Sequence, residues 1–140
     1  MSGLDDELLR IAALLRERAL ARYRGDLDAE AALRDERAQI DALCDVARQG
    51  DLQPGARQAI GQSELWQGWL ARRRTEVQVA MAQARARQGY SGAAARAEFA
   101  RDEAARALAE HDRNARRARR IFAEEQALEE LVRLRLWQGL

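Results

Sequence analysis

Cys44 and His111 are the side chains of this sequence best suited to nucleophilic or proton-transfer chemistry, and each is the only residue of its type. The negative charges of Asp41 and Asp45, which flank Cys44, oppose formation of the thiolate that a cysteine nucleophile needs. His111 adjoins Asp112 in a polar stretch, where we expect it to be solvated rather than catalytic. One cysteine and one histidine cannot complete the usual zinc ligand set, so the sequence predicts no metal site and no intrachain disulfide.

The motifs that ordinary enzymes place around a reacting atom do not occur in this sequence. It has no glycine-rich phosphate loop, no Gly-x-Ser-x-Gly elbow, no Cys-x-x-Cys pair and no His-Glu-x-x-His helix. Adjacent acidic residues recur at 102–103, 124–125 and 129–130, but two paired helices offer no enclosed pocket that would dehydrate them. We therefore expect no catalytic activity and no cofactor.

The charges nearly balance, with 24 arginines, no lysine and 23 acidic residues, for a net charge of +1. Five of the arginines fall within 113–120 and suggest a phosphate-binding patch, yet four glutamates follow at once. Phe122 is the only aromatic residue near them, whereas proteins that bind single-stranded nucleic acid usually stack bases on several. We expect no nucleic-acid partner, and a basic helical nucleic-acid-binding protein is the least favoured alternative.

The sequence favours a cytoplasmic location. No run free of aspartate, glutamate and arginine exceeds 8 residues, whereas a membrane-spanning helix needs about 20 apolar residues. The first residues are acidic, unlike the basic start of a signal peptide.

Helix-forming residues dominate the chain, and its helix breakers are concentrated in one short stretch. Alanine, leucine, arginine, glutamate and glutamine make up most of the sequence, which predicts an all-α fold. From Leu4 to about Gln49 the larger apolar residues recur at steps of three, four and seven, which indicates one helix with a narrow apolar stripe. They are Leu4, Leu8, Ile11, Leu15, Tyr23, Leu27, Leu33, Ile40 and Leu43. So narrow a stripe needs a partner helix.

The densest cluster of glycine and proline predicts a reversal of direction at residues 50–62, which we call the tip. A second helix is expected over about 63–138, which makes 1–140 a single elongated antiparallel coiled-coil hairpin. Its predicted inner face comprises Trp66, Trp69, Leu70, Arg73, Val77, Ala80, Met81 and Ala84. Residues 1–60 hold nine arginines and twelve acids, and residues 61–92 hold five arginines and two acids, so the two segments are electrostatically complementary.

Gly89 and Gly92 interrupt the second helix, and two interpretations stay open: a bend within one helix, or a short loop that begins a third. Two glycines cost about 2 kcal/mol relative to alanine in a helix interior, which tertiary packing can offset, so we favour the bend. Ser91 would cap a third helix if a loop formed. Beyond it, 93–138 is predicted to be continuous helix with sparse apolar residues. They are Phe99, Leu108, Ile121 or Phe122, Leu128, Leu131 or Val132, and Trp137.

Trp66 and Trp69 lie three residues apart between Leu65 and Leu70, close to the tip. One interpretation is that they close the end of the hairpin, because large aromatic side chains dominate small cores. The four side chains do not all fit on one two-helix seam, however. We therefore expect some apolar surface to remain exposed there, as is typical of a partner-binding patch.

The segment from Arg57 to Gln88 reads RQAIGQSELWQGWLARRRTEVQVAMAQARARQ. Together with the acidic start of the first helix and the arginine-rich third quarter, it resembles the FliJ family of flagellar export proteins and their YscO-like relatives in injectisomes. The resemblance implies a two-helix coiled coil that acts as the stalk of a hexameric export ATPase and escorts export chaperones. It also implies a cytoplasmic protein, peripheral to the inner membrane when assembled. A generic coiled-coil scaffold or homodimeric adaptor is the alternative.

The resemblance also implies a contact between the start of the second helix and the export gate membrane protein. The matching positions are Trp69, Arg73, Glu76 or Val77, and Ala80. With the tryptophan cluster, the predicted partner-binding set is Trp66, Trp69, Leu70, Arg73, Glu76, Val77 and Ala80. By the same analogy, the two ends of the hairpin, near 4–15 and 122–137, would enter the ATPase ring.

Overall fold

A computed structural model of the chain describes residues 2–50 and 60–139. Two helices, α1 (Ser2–Gly50) and α2 (Ile60–Trp137), make up nearly all of these residues, which contain no strand. The helices pack against each other, so the predicted all-α hairpin is confirmed. Most of the predicted tip falls on residues 51–59, which lie outside the described residues. Neither described helix includes a stretch with both the length and the apolarity to cross a membrane.

The glycines at 89 and 92 do not interrupt α2, because its helix continues through them. The alternative of a loop that begins a third helix is therefore wrong. Gly92 is buried against α1, where a Cβ added to it would stand 3.0 Å from Cε2 of Tyr23. Glycine lets the two helices approach closely at this point, and the resulting packing offsets its low helix propensity.

The packing divides the chain into two compact units, and each contains a stretch of both helices. The central unit comprises Glu17–Ala97, and the terminal unit comprises Met1–Arg16 with Glu98–Leu140. Each unit is described by itself below.

Buried positions in the central unit repeat every seven residues, as in a coiled coil. On α2 they are Leu70, Val77, Ala84 and Ser91, with Met81 and Ala95 in a second row. On α1 a row of buried and half-buried residues follows steps of three and four: Tyr23, Asp26, Glu30, Leu33, Arg37, Ile40, Cys44 and Ala47. Ala19, Leu20, Glu36 and Asp41 are also half-buried. The apolar centre of this seam is formed by Ile40, Leu70, Val77 and Met81. Of the stripe predicted on this part of α1, Tyr23, Leu33 and Ile40 lie in the seam. Leu27 and Leu43 are exposed, so the prediction is wrong at those two positions.

Ion pairs across the central seam confirm the predicted charge complementarity. Arg85 Nε lies 3.0 Å from Glu30 Oε1, and Arg74 Nε lies 3.1 Å from Asp41 Oδ1. Residue numbers rise along α1 as they fall along α2, so the helices are antiparallel here.

The seam of the terminal unit is built differently, from ion pairs and small side chains. Arg116 Nη2 lies 3.1 Å from Asp5 Oδ2, and Arg16 Nη1 lies 2.9 Å from Asp102 Oδ2, so these segments are also antiparallel. Between these pairs the half-buried side chains are mostly alanine. They are Leu9, Ala12, Ala13, Ala105, Ala109 and Ala115.

The predicted inner stripe of α1 is wrong within the terminal unit. Leu4, Leu8, Ile11 and Leu15 are all exposed, with relative accessibilities of 42–66%. Asp5, Leu9, Ala12 and Arg16 face α2 instead, about 100° further around the helix. The reason is that Asp5 and Arg16 form ion pairs with α2, which hold this face of α1 against it in place of the leucine face.

Candidate protein-binding surfaces

The first candidate surface is an aromatic patch, which we define as Leu65, Trp66 and Trp69. The two indole rings stack with centroids 5.3 Å apart and planes inclined by 9°. Both indoles are almost half exposed, at 44% and 48%, and Leu65 is 76% exposed. A spacing of three residues places both rings on one side of α2, whereas the next residue, Leu70, is buried in the seam. The patch is therefore apolar surface that the described residues leave uncovered.

The structure separates the other predicted partner-binding residues into core and surface. Leu70 and Val77 are buried, at 0% and 1% exposed, so a partner reaches them only if the helices separate. Ala80 is half-buried beside the seam, and Glu76 is exposed. A surface available to a partner therefore combines the aromatic patch with Arg73 and Glu76.

Arg73 is held in place by two carboxylates. Its Nε donates a 2.8 Å hydrogen bond to Glu36 Oε1 on α1, and its Nη1 donates a 3.1 Å bond to Glu76 Oε2 one turn along α2. The hydrogen bond that Arg73 donates to Glu36, followed by the one it donates to Glu76, raises the pKa of the guanidinium above its ordinary value. Arg73 thus fixes the pairing of α1 and α2 beside the aromatic patch.

Glu30 is a buried carboxylate in the central seam, with 6% of its surface exposed. Its Oε1 accepts hydrogen bonds from Arg85 Nε at 3.0 Å and from Arg34 Nη2 at 2.9 Å. The hydrogen bond from Arg85 is the main cause of the lowered pKa of Glu30. Burial raises this pKa, and the hydrogen bond from Arg34 lowers it. This cluster stabilises the hairpin, because two arginines satisfy the buried charge.

Asp102 is the corresponding buried carboxylate of the terminal unit, with 1% of its surface exposed. Its Oδ2 accepts a hydrogen bond from Arg16 Nη1 at 2.9 Å and lies 3.0 Å from Arg106 Nη2. The Arg16 guanidinium also lies over the ring of Phe99, 5.2 Å from its centroid. Oδ1 of Asp102 is buried and accepts no hydrogen bond from the described residues. Sequence reasoning missed this cluster, because an aspartate within an alanine-rich helix that also carries arginine and glutamate shows no sign that it is buried.

The second candidate surface is the amino-terminal stripe of α1, formed by Leu4, Leu8, Ile11 and Leu15. These residues recur at steps of four and three, so they share one face of the helix. Leu8 and Leu108 line the same shallow hollow of about 200 Å³. Leu4, Ile11 and Leu15 are also exposed, and they do not line this hollow.

The third candidate surface is the carboxy-terminal stripe of α2, which we define as Ile121, Leu128, Val132 and Leu136, flanked by Phe122 and Leu131. All six are exposed, between 43% and 73%. Every residue from 116 to 139 is exposed, because the last ion pair to α1 is at Arg116. The sequence predicted this helix and its apolar residues, but it did not indicate that no part of α1 covers them.

The carboxy-terminal stripe is also out of phase with the seam. The rows of α2 that face α1, continued at seven-residue steps, reach Arg119, Gln126 and Arg133 in one row and Ala123, Glu130 and Trp137 in the other. The stripe residues Ile121, Leu128 and Val132 each lie two positions beyond a member of these rows, whereas Leu136 directly precedes Trp137. Two residues correspond to about 200° around a helix, so Ile121, Leu128 and Val132 point away from the side of α2 that packs on α1.

Cys44 lies in a hollow of about 380 Å³ beside Arg48 and Arg74. Arg74 pairs with Asp41 at 3.1 Å and Arg48 with Asp45 at 3.8 Å, so carboxylates balance both positive charges. Among the described residues that line this hollow, none is a base or an unpaired cation that would activate the thiol. Among the described residues no group of three histidine, cysteine, aspartate or glutamate side chains is placed to hold a metal ion.

The three candidate surfaces are thus apolar faces of helices, and their chemistry is that of protein–protein contact. The chain matches no protein-family profile, no curated protein and no solved structure.

Proposed function

We propose that this chain is a non-catalytic stalk and regulator of the ATPase ring of a bacterial flagellar type III export apparatus, and that it escorts export chaperones. The proposal joins the resemblance of residues 57–88 to the FliJ family with the two-helix architecture. It assigns the chain to the cytoplasm, at the periphery of the inner membrane once the apparatus is assembled.

The amino-terminal stripe is the observation that carries the proposal. Leu4, Leu8, Ile11 and Leu15 expose a row of large apolar side chains along about three helical turns. A row of this kind on an exposed helix face indicates a protein partner, since a helix presents its anchors at steps of three and four. An ATPase ring that encloses the helix ends would cover such a row.

The aromatic patch supplies a second contact in the proposal. Trp66 and Trp69 present a stacked, half-exposed pair beside the charged side chains of Arg73 and Glu76. Exposed tryptophans ringed by polar groups are typical of binding hot spots. We assign this surface to the cytoplasmic part of the export gate.

The test is the hydrolysis rate of the cognate export ATPase with increasing amounts of the purified chain. The wild-type chain should accelerate hydrolysis, and the double variant Leu4→Gln/Ile11→Gln should not. Arg10→Gln, which introduces the same side chain on the opposite face of α1, is the matched control and should act like wild type. Unchanged hydrolysis at saturating wild-type chain would overturn the proposal.

A further inference from the structure

We infer that residues 2–16 of α1, which we call the arm, separate from α2 and close again as one unit while the central seam stays paired. The arm is the α1 part of the terminal unit. The inference does not depend on the proposed function. It follows from the different side chains that hold the two seams together.

Apolar burial is concentrated in the central unit. Its seam encloses four large side chains that are at most 4% exposed: Ile40, Leu70, Val77 and Met81. In the described part of the terminal unit, Asp102 is the only buried residue, and Leu9 is the only large apolar side chain that is even half-buried. Burial of one large apolar side chain shifts an opening equilibrium by at least about tenfold, so the terminal seam opens more readily than the central one.

The contacts along the arm add little to its closure. Arg116 and Asp5 pair at 3.1 Å, but their side chains are 46% and 38% exposed, so water and salt screen the attraction. The half-buried side chains between this pair and Asp102 are mostly alanine, which contributes little apolar area per residue. The buried pair of Arg16 and Asp102 is therefore the main contact that holds the arm.

The environment of Asp102 offsets part of the cost of breaking that pair. Its Oδ1 is buried and accepts no hydrogen bond from the described residues, so separation of the arm lets water reach this atom. Arg106 belongs to the same helix, and its Nη2 lies 3.0 Å from Asp102 Oδ2. The carboxylate thus keeps one cationic partner when Arg16 leaves. The buried pair fixes the position of the closed arm without making closure strongly favourable.

Opening uncovers a second face of the arm. The amino-terminal stripe is exposed already, whereas Leu9, Ala12 and Ala13 are half-buried in the terminal seam. The two faces lie about 100° apart around the helix, so the open arm presents both. A partner that contacts both faces binds the open arm better than the closed arm and shifts the population towards it.

Hydrogen exchange of the backbone amides in the full chain, followed by NMR and corrected for intrinsic rates, tests the opening. In the wild type, residues 9–16 should exchange at least about tenfold faster than residues 26–44. Residues 9–16 lie beyond the first helical turn, whose amides have no acceptor within the helix. The rates of 9–16 should be similar to one another, because the arm opens as one unit. Equal rates in the two segments, or a steady gradient from residue 9 to residue 44, would overturn the inference.

Substitution of the buried pair tests its part in holding the arm. Arg16→Met/Asp102→Leu introduces apolar side chains of similar size and should slow exchange of residues 9–16 at least about tenfold, because it adds apolar burial and removes the buried carboxylate. Arg10→Met/Glu103→Leu makes the corresponding changes at exposed positions and is the matched control, which should exchange like wild type. Far-ultraviolet circular dichroism verifies the helices of each variant. Unchanged or faster exchange in a helical Arg16→Met/Asp102→Leu variant would overturn the inference, and the wild-type exchange profile tests it whether or not this variant folds.

Discussion

Gly92 of α2 lies against the aromatic ring of Tyr23 of α1, so closely that an added Cβ would stand 3.0 Å from Cε2 of the ring. Gly89, one turn earlier on the same helix, has no atom within 4 Å of the corresponding position. The two glycines therefore differ in packing alone, because both lie in the interior of one helix.

The first prediction separates helix propensity from packing at these two positions. Gly89→Ala should raise the free energy of unfolding by about 1 kcal/mol, because alanine is the better helix former. Gly92→Ala should lower it by about 1 kcal/mol, because displacement of Tyr23 costs more than the propensity gains. Urea denaturation measures both values. In a Tyr23→Ala background Gly92→Ala should become stabilising, and a persistent loss there would contradict the assigned clash.

The second prediction concerns the pH dependence of the Glu30 cluster. The hydrogen bond from Arg85 holds the pKa of Glu30 below its ordinary value of 4.5. Stability from a carboxylate with a lowered pKa is complete above the ordinary value and is lost as the pH falls through the folded-state pKa. The difference in free energy of unfolding between wild type and Glu30→Gln should therefore be constant from about pH 7 to about pH 5 and shrink on further acidification.

Denaturant titrations at a series of pH values measure this difference. Asp28→Asn, on the exposed side of the same helix, is the control and should show no comparable difference. A Glu30→Gln difference that grew on acidification would contradict the assignment.

The third prediction concerns Asp102, which two arginines contact at 2.9 and 3.0 Å. Asp102→Ala should lower the free energy of unfolding by about 1–3 kcal/mol, through loss of charge-assisted hydrogen bonds. The loss stays below that of a fully buried ion pair because the Arg106 side chain is 58% exposed and can be solvated. Glu103→Ala, on the exposed side of α2, should change stability by less than about 0.5 kcal/mol. If the two substitutions lowered the free energy of unfolding equally, in thermal or urea unfolding, the buried contacts of Asp102 would not contribute to stability.

The fourth prediction distinguishes surface from core in the predicted partner-binding set. Trp69→Ala should lower the free energy of unfolding by less than about 1 kcal/mol but weaken binding to the cytoplasmic domain of the cognate gate protein at least tenfold. Leu70→Ala, the adjacent core residue, should lower the free energy of unfolding by about 2–5 kcal/mol. Isothermal titration calorimetry measures the affinity for the gate domain, and thermal unfolding of the same samples measures the stability. If Trp69→Ala left gate binding unchanged, the assignment of the aromatic patch would fail, whatever its effect on stability.

The fold could be predicted because its strongest signals are local. Helix-forming residues fill both long segments, and the glycine and proline cluster around Pro54 separates them. Charge balance between the segments also predicted the antiparallel pairing, which the Arg85–Glu30 and Arg74–Asp41 contacts confirm. The choice at 89–92 depended on tertiary packing, because only the contact with Tyr23 explains a continuous helix there.

The exposed surfaces were harder to predict, because periodicity identifies an apolar face without saying what covers it. Leu4, Leu8, Ile11 and Leu15 have the spacing of a seam, yet Asp5 and Arg16 take the positions that face α2. Trp69 and Leu70 are neighbours of similar apolar character, and only the rotation of the helix decides that one is half exposed and the other buried. In the predicted partner-binding set, the half-exposed and the charged side chains are accessible, whereas Leu70 and Val77 are buried.

Because the carboxy-terminal stripe is rotated relative to the seam, the length of α2 between them determines the direction in which the stripe faces. Removing two residues between Ala109 and Ile121 would rotate the distal stripe by about 200° and align it with the row that contacts α1. The resulting face would be continuous, and a single long partner could cover it end to end. At its native length α2 instead presents two apolar faces that point in different directions. Protein segments on opposite sides of α2 can therefore bind at the same time.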